Sequence, residues 1–377
     1  MDTVKVMPVW RKLIRPIGSR PRHYRALPRR FRRPRLLIIG CGDVGRRIAS
    51  LCCKDWLVYG VARSAATLDL IRAAGAVPMA AGAPRRRLQD LAAWVIHSAP
   101  PPSDARRSGG GHEDLLTRAW SARLLQRRPS AAVPPATASP AIATSPAFAR
   151  TSGGALRRVV YLSTTGVYGN RQGRWTDETT APQPVTDRAR RRVDAERRLR
   201  HAARGVMRLT TLRVPGIYAA DRLPLERLHN RVPALSAKDD VQTNHIHADD
   251  LARLARAALL RGRAQRTINV VDDSVLPMGD YLDMVARWAG LPPPPRLDRE
   301  TLLATVTPMR ASFMNESRLL SNRRMKRELK LRLRYPTIAD FLARQVPPAR
   351  GNVSPTPPVQ EPAQREAYAK AAAPPPI

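Results

Sequence analysis

Leu36-Leu-Ile-Ile-Gly40-Cys41-Gly42-Asp43-Val44-Gly45-Arg-Arg-Ile-Ala49 joins an apolar run, a G-x-G-x-x-G turn and a helical pattern end to end. The motif alone is weak, but a strand before it and a helix after it are the context it requires. The apolar run reads as a buried strand, Leu36–Ile39, and Asp43–Cys53 as the helix that follows. Gly40 permits a tight turn, Gly42 lets main chain approach a pyrophosphate, and Gly45 lets the helix lie on the strand. The free N–H groups of the helix then face the phosphates. Cys41, Asp43 and Val44 complete the turn, so residues 40–45 are all candidate dinucleotide contacts. Cys41 also sits at a helix N-terminus, a setting that lowers a thiol's pKa; a small residue filling a tight turn is the plainer reading.

Working outward, short β-branched runs alternate with helical patterns, the signature of a Rossmann-type α/β fold with a doubly wound parallel sheet. Strands are expected at Trp56–Val61, Ala76–Met79, Ala93–Ser98, Arg158–Ser163, Met207–Val214 and Thr267–Val271. Helices are expected near Ala66–Ala74 and at His112–Arg127, Asp187–Ala203, Asp250–Arg261 and Gly279–Ala289. The second strand ends Tyr59-Gly-Val-Ala-Arg63-Ser64, where an NAD-preferring site places an acid on the ribose hydroxyls. There is no acid. A guanidinium beside a hydroxyl suits a 2′-phosphate, so NADP is the expected cofactor, with NAD as the alternative.

The 377 residues suffice for one large α/β domain or two smaller ones. Lys and Arg total 66 against 30 Asp and Glu, a net charge of +36 that raises nucleic acid or an anionic membrane as partner. Yet 59 of the 66 are Arg, a skew that GC-rich coding produces as readily as selection for phosphate contacts. Residues 1–34 carry +10 and residues 347–377 carry +1, leaving +25 on the body. Residues 1–34 read as a disordered basic arm, or as an upstream-extended start; they overlap transit peptides in composition, but no signal core follows them. Residues 128–155, with five prolines and no acid, read as a disordered insertion, and 347–377 as a Pro/Ala-rich tail. Cys41, Cys52 and Cys53 make no disulfide framework, and no apolar run reaches membrane-spanning length, so a cytoplasmic protein without membrane attachment is expected.

Val159-Val-Tyr-Leu-Ser163-Thr164-Thr165-Gly-Val-Tyr168-Gly169 resembles the extended short-chain dehydrogenase/reductase superfamily, the NAD(P)-dependent epimerase/dehydratase-like proteins. Trp175-Thr-Asp-Glu-Thr-Thr-Ala-Pro182, Leu212-Arg-Val-Pro215-Gly216-Ile-Tyr218, Asn244-His-Ile-His-Ala-Asp-Asp-Leu-Ala252 and Asn269-Val-Val-Asp-Asp273 look like family segments in family order. The resemblance covers roughly residues 35–345. It implies a dinucleotide-binding domain over 35–346 with a smaller substrate lobe at about 215–246 and 273–345. It implies that Thr164 orients the substrate oxygen, that Ser98-Ala99-Pro100 runs beside the cofactor, and that Pro215 approaches the nicotinamide. Thr165 and Arg222 are the implied substrate contacts, Arg222 where relatives bind an anionic group. A homodimer through paired helices is common in the family.

One departure is decisive. Members with full chemistry carry Tyr-x-x-x-Lys on the helix after the fifth strand, whereas here registering on Glu196 puts Arg188 and Arg192 at those positions. Arginine stays protonated, so Arg188 cannot exchange a proton as a phenol would. Arg192 retains a role in holding the cofactor ribose. The resemblance is therefore to the atypical branch, and two functions stay open: an oxidoreductase or epimerase-like enzyme on a small polar substrate, and a non-catalytic dinucleotide sensor.

Other signals are set aside. His245 and His247 with Asp249 and Asp250 could be drawn as a metal cluster, but the acids read as helix caps and no metal is expected. Asp177-Glu178 looks like a carboxylate pair, but the resemblance implies a polar loop near the cleft mouth. Asn322–Pro336 is basic, yet no aromatic residues interleave to stack bases, so nucleic acid is disfavoured.

Overall fold

A computed structural model of the chain describes residues 33–81, 92–101, 113–125, 158–205, 207–306, 311 and 314–348. The arm, the insertion and nearly all of the tail lie outside the described residues. The central sheet contains strands β1 (Arg35–Ile39), β2 (Leu57–Ala62), β3 (Val77–Ala80), β4 (Trp94–His97), β5 (Arg158–Thr164), β6 (Arg208–Val214) and β7 (Arg266–Asn269). Their spatial order is β7-β6-β5-β4-β1-β2-β3, and every pairing is parallel. The strand order reverses between β1 and β4, which is where a doubly wound sheet opens a crevice at its strands' carboxyl ends.

Side-chain alternation explains why β1 reads as an unbroken apolar run. Leu36 and Ile38 join a core on one face, with Ile48 and Leu251, and Leu37 and Ile39 join a core on the other, with Trp120 and Leu199. A strand covered on both faces needs apolar residues at every position. The covering helices on the first face are α1 (Asp43–Cys52) and α6 (Ala248–Arg261), which pack on each other. On the second face lie α3 (Leu115–Leu125) and α4 (Asp187–Ala203), with α2 (Ala65–Ala73) between β2 and β3 in sequence. The short helices α5 (Leu225–His229), α7 (Met278–Trp288), α8 (Arg299–Thr305), α9 (Arg323–Leu329) and α10 (Ile338–Leu342) follow in the second half.

Glu196 locks α4 to the sheet. Its carboxylate accepts from the Ser163 hydroxyl on β5 at 2.6 Å and from Arg213 on β6 at 2.7 and 3.2 Å. Both partners of the ion pair are buried, so losing one would strand the other's charge.

One capping expectation is corrected. α6 is capped by His247, whose Nδ1 accepts from the Asp249 N–H at 3.2 Å, and not by the acid pair. Asp250 is fully buried and instead accepts the N–H groups of Arg334 and Tyr335, both at 2.9 Å, tying down the segment before α10. The His245 ring packs on Tyr281 with centroids 4.4 Å apart, and the His247 ring on Tyr335 at 4.2 Å.

Candidate active site

The glycine turn leaves the end of β1 and passes into α1. Gly40 has φ +82°, and a Cβ there would stand 2.4 Å from the main-chain N and Cα of Ala99. The turn is thereby pressed against the end of β4, where Ser98 Oγ donates to the Gly40 carbonyl at 2.8 Å and the Ser98 and Ala99 N–H groups donate to Ile39. Gly42 is the opposite case: a Cβ there would meet nothing within 4 Å. Gly42 is also the N-cap of α1 and supplies no side-chain cap to the first-turn N–H groups. An uncapped helix start beside an empty cradle fits a dinucleotide pyrophosphate.

The same edge collects most of the other sequence candidates. Arg63 follows β2, is exposed, and has no hydrogen bond or ion pair among the described residues. Ser64 caps α2, accepting from the Thr67 N–H at 3.3 Å. Thr164 closes β5 and pairs in register with Val214, which puts Pro215 beside it at the end of β6. The Thr164 hydroxyl accepts from the Gly166 N–H at 3.3 Å, which leaves its own proton free to donate. Thr165 is 4 % exposed and Arg222 is engaged elsewhere: it donates to Asp43 at 2.8 Å. Arg222 is exposed, and only its Nη1 is engaged in that pair.

Asp43 is held by two arginines. Desolvation raises its pKa, but Arg222 and Arg47 outweigh that and keep the carboxyl below the usual range. Arg47 also reaches Asp249 at 2.7 Å and Asp221 at 3.1 Å, so α1 is clasped to the segment after β6. Cys41 departs from the expectation for a helix N-terminus: burial pushes its thiol up to about 12, with Arg46 opposing. It packs in the core beside Ile38 and Ile48 and is fully buried.

On α4, Arg192 Nη1 donates to the Tyr161 hydroxyl and the Leu162 carbonyl at 3.0 Å and to the Ala99 carbonyl at 3.3 Å. It therefore bridges the ends of β4 and β5 under the strip Ser98–Pro100. Beneath it Tyr161 is fully buried and pushed up to about 12 by burial, and His97 is pushed down to about 3 by burial and by Arg192. His97 Nε2 lies 3.1 Å from Thr117 Oγ1. Desolvation holds Arg188 below the usual arginine range, with Glu316 opposing and Arg192 reinforcing.

Two residues absent from any motif complete the site. A Cβ on Gly166 would stand 3.6 Å from Thr164 Oγ1 and 3.9 Å from Glu316 Oε2, so the Glu316 carboxylate faces the same spot as the threonine. Arg318 Nη1 donates to Glu316 Oε2 and to the Gly169 carbonyl, both at 2.8 Å. Glu178, by contrast, is structural: it accepts the Asn269 N–H at 2.8 Å and pairs with Arg324 at 3.4 Å. Farther along, a cavity of about 170 Å³ is lined by Arg227, Leu235, Asp240, Val241, Met278 and Met314, among others.

No family model and no curated protein matches the sequence. Solved structures do match. A functionally unknown conserved protein from Silicibacter pomeroyi aligns with a TM-score of 0.63 at 28% identity, over 82% of this chain and 96% of that one. UDP-glucuronic acid 4-epimerase from Bacillus cereus, in complex with NAD, aligns with a TM-score of 0.59 at 14% identity, over 82% and 96%. MoeE5, in complex with UDP-glucose and NAD, aligns with a TM-score of 0.56 at 16% identity, over 83% and 97%. The chain thus shares the Rossmann-type α/β fold of these solved structures, the fold class that the sequence implied. Of these three, one is described as an epimerase and two are in complex with NAD. Among the described residues no helix is long and apolar enough to cross a membrane.

Proposed function

We propose that the protein is an atypical NAD(P)-dependent oxidoreductase of the epimerase/dehydratase-like kind, acting on a hydroxyl-bearing carbon of a small polar substrate. The observation that carries this reading is the open cradle at Gly42, beside an uncapped helix and in line with Thr164 along one sheet edge. The turn at 40–45 and the strip at Ser98–Pro100 would hold the dinucleotide, with Arg63 and Ser64 at its ribose. When bound, the nicotinamide supplies hydride chemistry. Thr164 donates a hydrogen bond to the substrate oxygen, and Arg192 fixes the strip beneath. Neighbouring structures hold UDP-sugars, so a sugar nucleotide is the first substrate class to screen, with the apolar cavity at Leu235 and Met278 as its anchor point.

Calorimetric titration of the full chain with NADPH and NADH at fixed moderate salt tests the reading. Tighter NADPH binding that falls about tenfold or more in Arg63→Ala supports it, because the 2′-phosphate loses its charged partner. No binding of either nucleotide removes the reading. The second reading, a non-catalytic dinucleotide sensor, draws on Arg188 standing where a phenol would exchange the proton and on Arg192 being committed to three internal hydrogen bonds. It predicts cofactor binding with no hydride transfer to any sugar nucleotide.

A further inference from the structure

Removing hydride from an alcohol carbon also requires that the hydroxyl proton go somewhere. Arg188 cannot accept it. The other titratable groups beneath Thr164 are closed off: Tyr161 is 0 % exposed and accepts from Arg192, His97 is 1 % exposed, and the buried Tyr168 donates to Asn269 Oδ1 at 2.7 Å. Glu316 differs from all three. One of its oxygens, Oε2, shares the surface of Gly166 with the Thr164 hydroxyl. Only that oxygen is taken, by Arg318; Oε1 accepts no hydrogen bond among the described residues.

The carboxylate is also held in place. Arg318, which bonds it, is itself braced on the Gly169 carbonyl. The adjoining Ser317 is pinned on both sides: its N–H donates to Asn170 Oδ1 at 3.1 Å, and its carbonyl accepts the Arg171 N–H at 2.9 Å. Directly beyond, Leu319–Leu320 pairs with Trp175–Thr176. The charged groups that face Glu316 are Arg318 from its own segment and Arg188 from α4. A pinned carboxylate beside the hydroxyl that orients the substrate meets the geometric demand on a general acid/base.

We propose that Glu316 is the proton-transfer residue of this site, replacing the phenol that the helix α4 lacks. The assignment rests on the dehydrogenase reading above. In the oxidising direction the substrate O–H bond breaks and its proton passes to a Glu316 oxygen. The C–H bond breaks and its electron pair leaves as hydride to an oxidised nicotinamide dinucleotide, while the C=O bond forms. Glu316 is left as the carboxylic acid, which returns the proton to water, or to the same oxygen when hydride is returned.

The test uses the full chain, with UDP-glucose and UDP-glucuronic acid as probes and nicotinamide absorbance as the rate signal, beside calorimetric NADPH binding. Glu316→Gln should lower kcat by about 100-fold or more while NADPH affinity stays within about twofold of wild type. The low-pH limb of the wild-type profile should vanish in the variant, Glu316→Asp should keep part of the rate, and formate should partly restore Glu316→Ala. A Glu316→Gln rate within about threefold of wild type, with the same pH profile, overturns the assignment but leaves the dehydrogenase reading intact. So does a loss of rate matched by an equal loss of NADPH affinity, which would mark Glu316 as structural. A wild-type chain that binds no dinucleotide overturns both, and the binding readout tells that outcome from the others.

Discussion

Gly40 and Gly42 are two residues apart and should respond oppositely to alanine. At Gly40 the added methyl would stand 2.4 Å from main-chain atoms of Ala99 with φ at +82°, so the end of β4 must move. A left-handed non-glycine residue costs about 1–2 kcal/mol and overpacking about 1–3 kcal/mol more, which together approach the whole stability of many domains. Gly40→Ala should therefore lower the denaturation midpoint severely or yield no folded protein. At Gly42 the methyl meets nothing within 4 Å and φ is −78°, so stability should change by less than about 1 kcal/mol. The methyl does, however, stand in the space assigned to the pyrophosphate. Gly42→Ala should keep its midpoint and lose about tenfold to a hundredfold in NADPH affinity, or about 1.4–3 kcal/mol. Chemical denaturation and calorimetry on the same preparations read both quantities. A Gly42→Ala chain that binds NADPH as wild type does would refute the placement of the dinucleotide.

Other perturbations follow from buried groups. Burial raises Asp272 from the ordinary 3.8 to about 7, so between those values the folded state holds a proton that the unfolded state has released, and stability falls as pH rises through that window. Asp272→Asn keeps the acceptor for the Ser274 N–H and removes the titration; it should stabilise the chain at pH 8 by up to about 4 kcal/mol and by nothing near pH 3, and an equal gap at both would defeat the argument. Arg213→Met leaves the buried Glu196 carboxylate without its charge partner and should cost about 3–5 kcal/mol in urea unfolding, more than any exposed arginine tested alongside it. Cys41, buried and pushed up to about 12, should resist iodoacetamide at pH 8 until denaturant is added; rapid labelling of the native chain would contradict the packing role.

How much of this could be read from the residues alone depends on whether the signal was local. Strand β1 and the turn after it announce themselves because four apolar residues and three glycines carry their reason within a few positions. The same holds for α4, whose limits match the expectation of Asp187–Ala203 residue for residue, with Thr186 as its cap. Glu316 carries no such signal. It belongs to no motif, and contacts distant in sequence, those of Ser317 and Arg318 with residues 169–171 and of Leu319–Leu320 with Trp175–Thr176, bring it to a threonine more than a hundred residues earlier. For Cys41 the plainer of the two readings holds: a helix terminus favours the thiolate, but desolvation opposes it and dominates once the turn is folded. The Arg222–Asp43 pair was hidden for the same reason as Glu316: its partners lie 179 positions apart.

The arginine excess looks different once its hydrogen bonds are followed. Arg158 donates to the Leu259 carbonyl at 2.6 Å and to that of Leu260, and so closes the end of α6. Arg261 does the same for the Leu329 carbonyl at the end of α9, at 2.5 Å. Arg324 donates to the Thr267 carbonyl at 3.0 Å and Arg299 to the Met314 carbonyl at 2.9 Å. The last carbonyls of a helix lack partners and carry the negative end of its dipole, so a guanidinium there satisfies hydrogen bonding and charge together. Lysine would bring the charge without the planar fork. Much of the positive charge on the body is thus internal fastening. Against that background an informative arginine is one without a hydrogen bond or ion pair among the described residues, and Arg63, directly after β2 at the edge where the sheet opens, is one of these. The Arg63→Ala titration proposed above therefore removes a side chain that fastens nothing described, so a loss of NADPH affinity would report on the ligand and not on the fold.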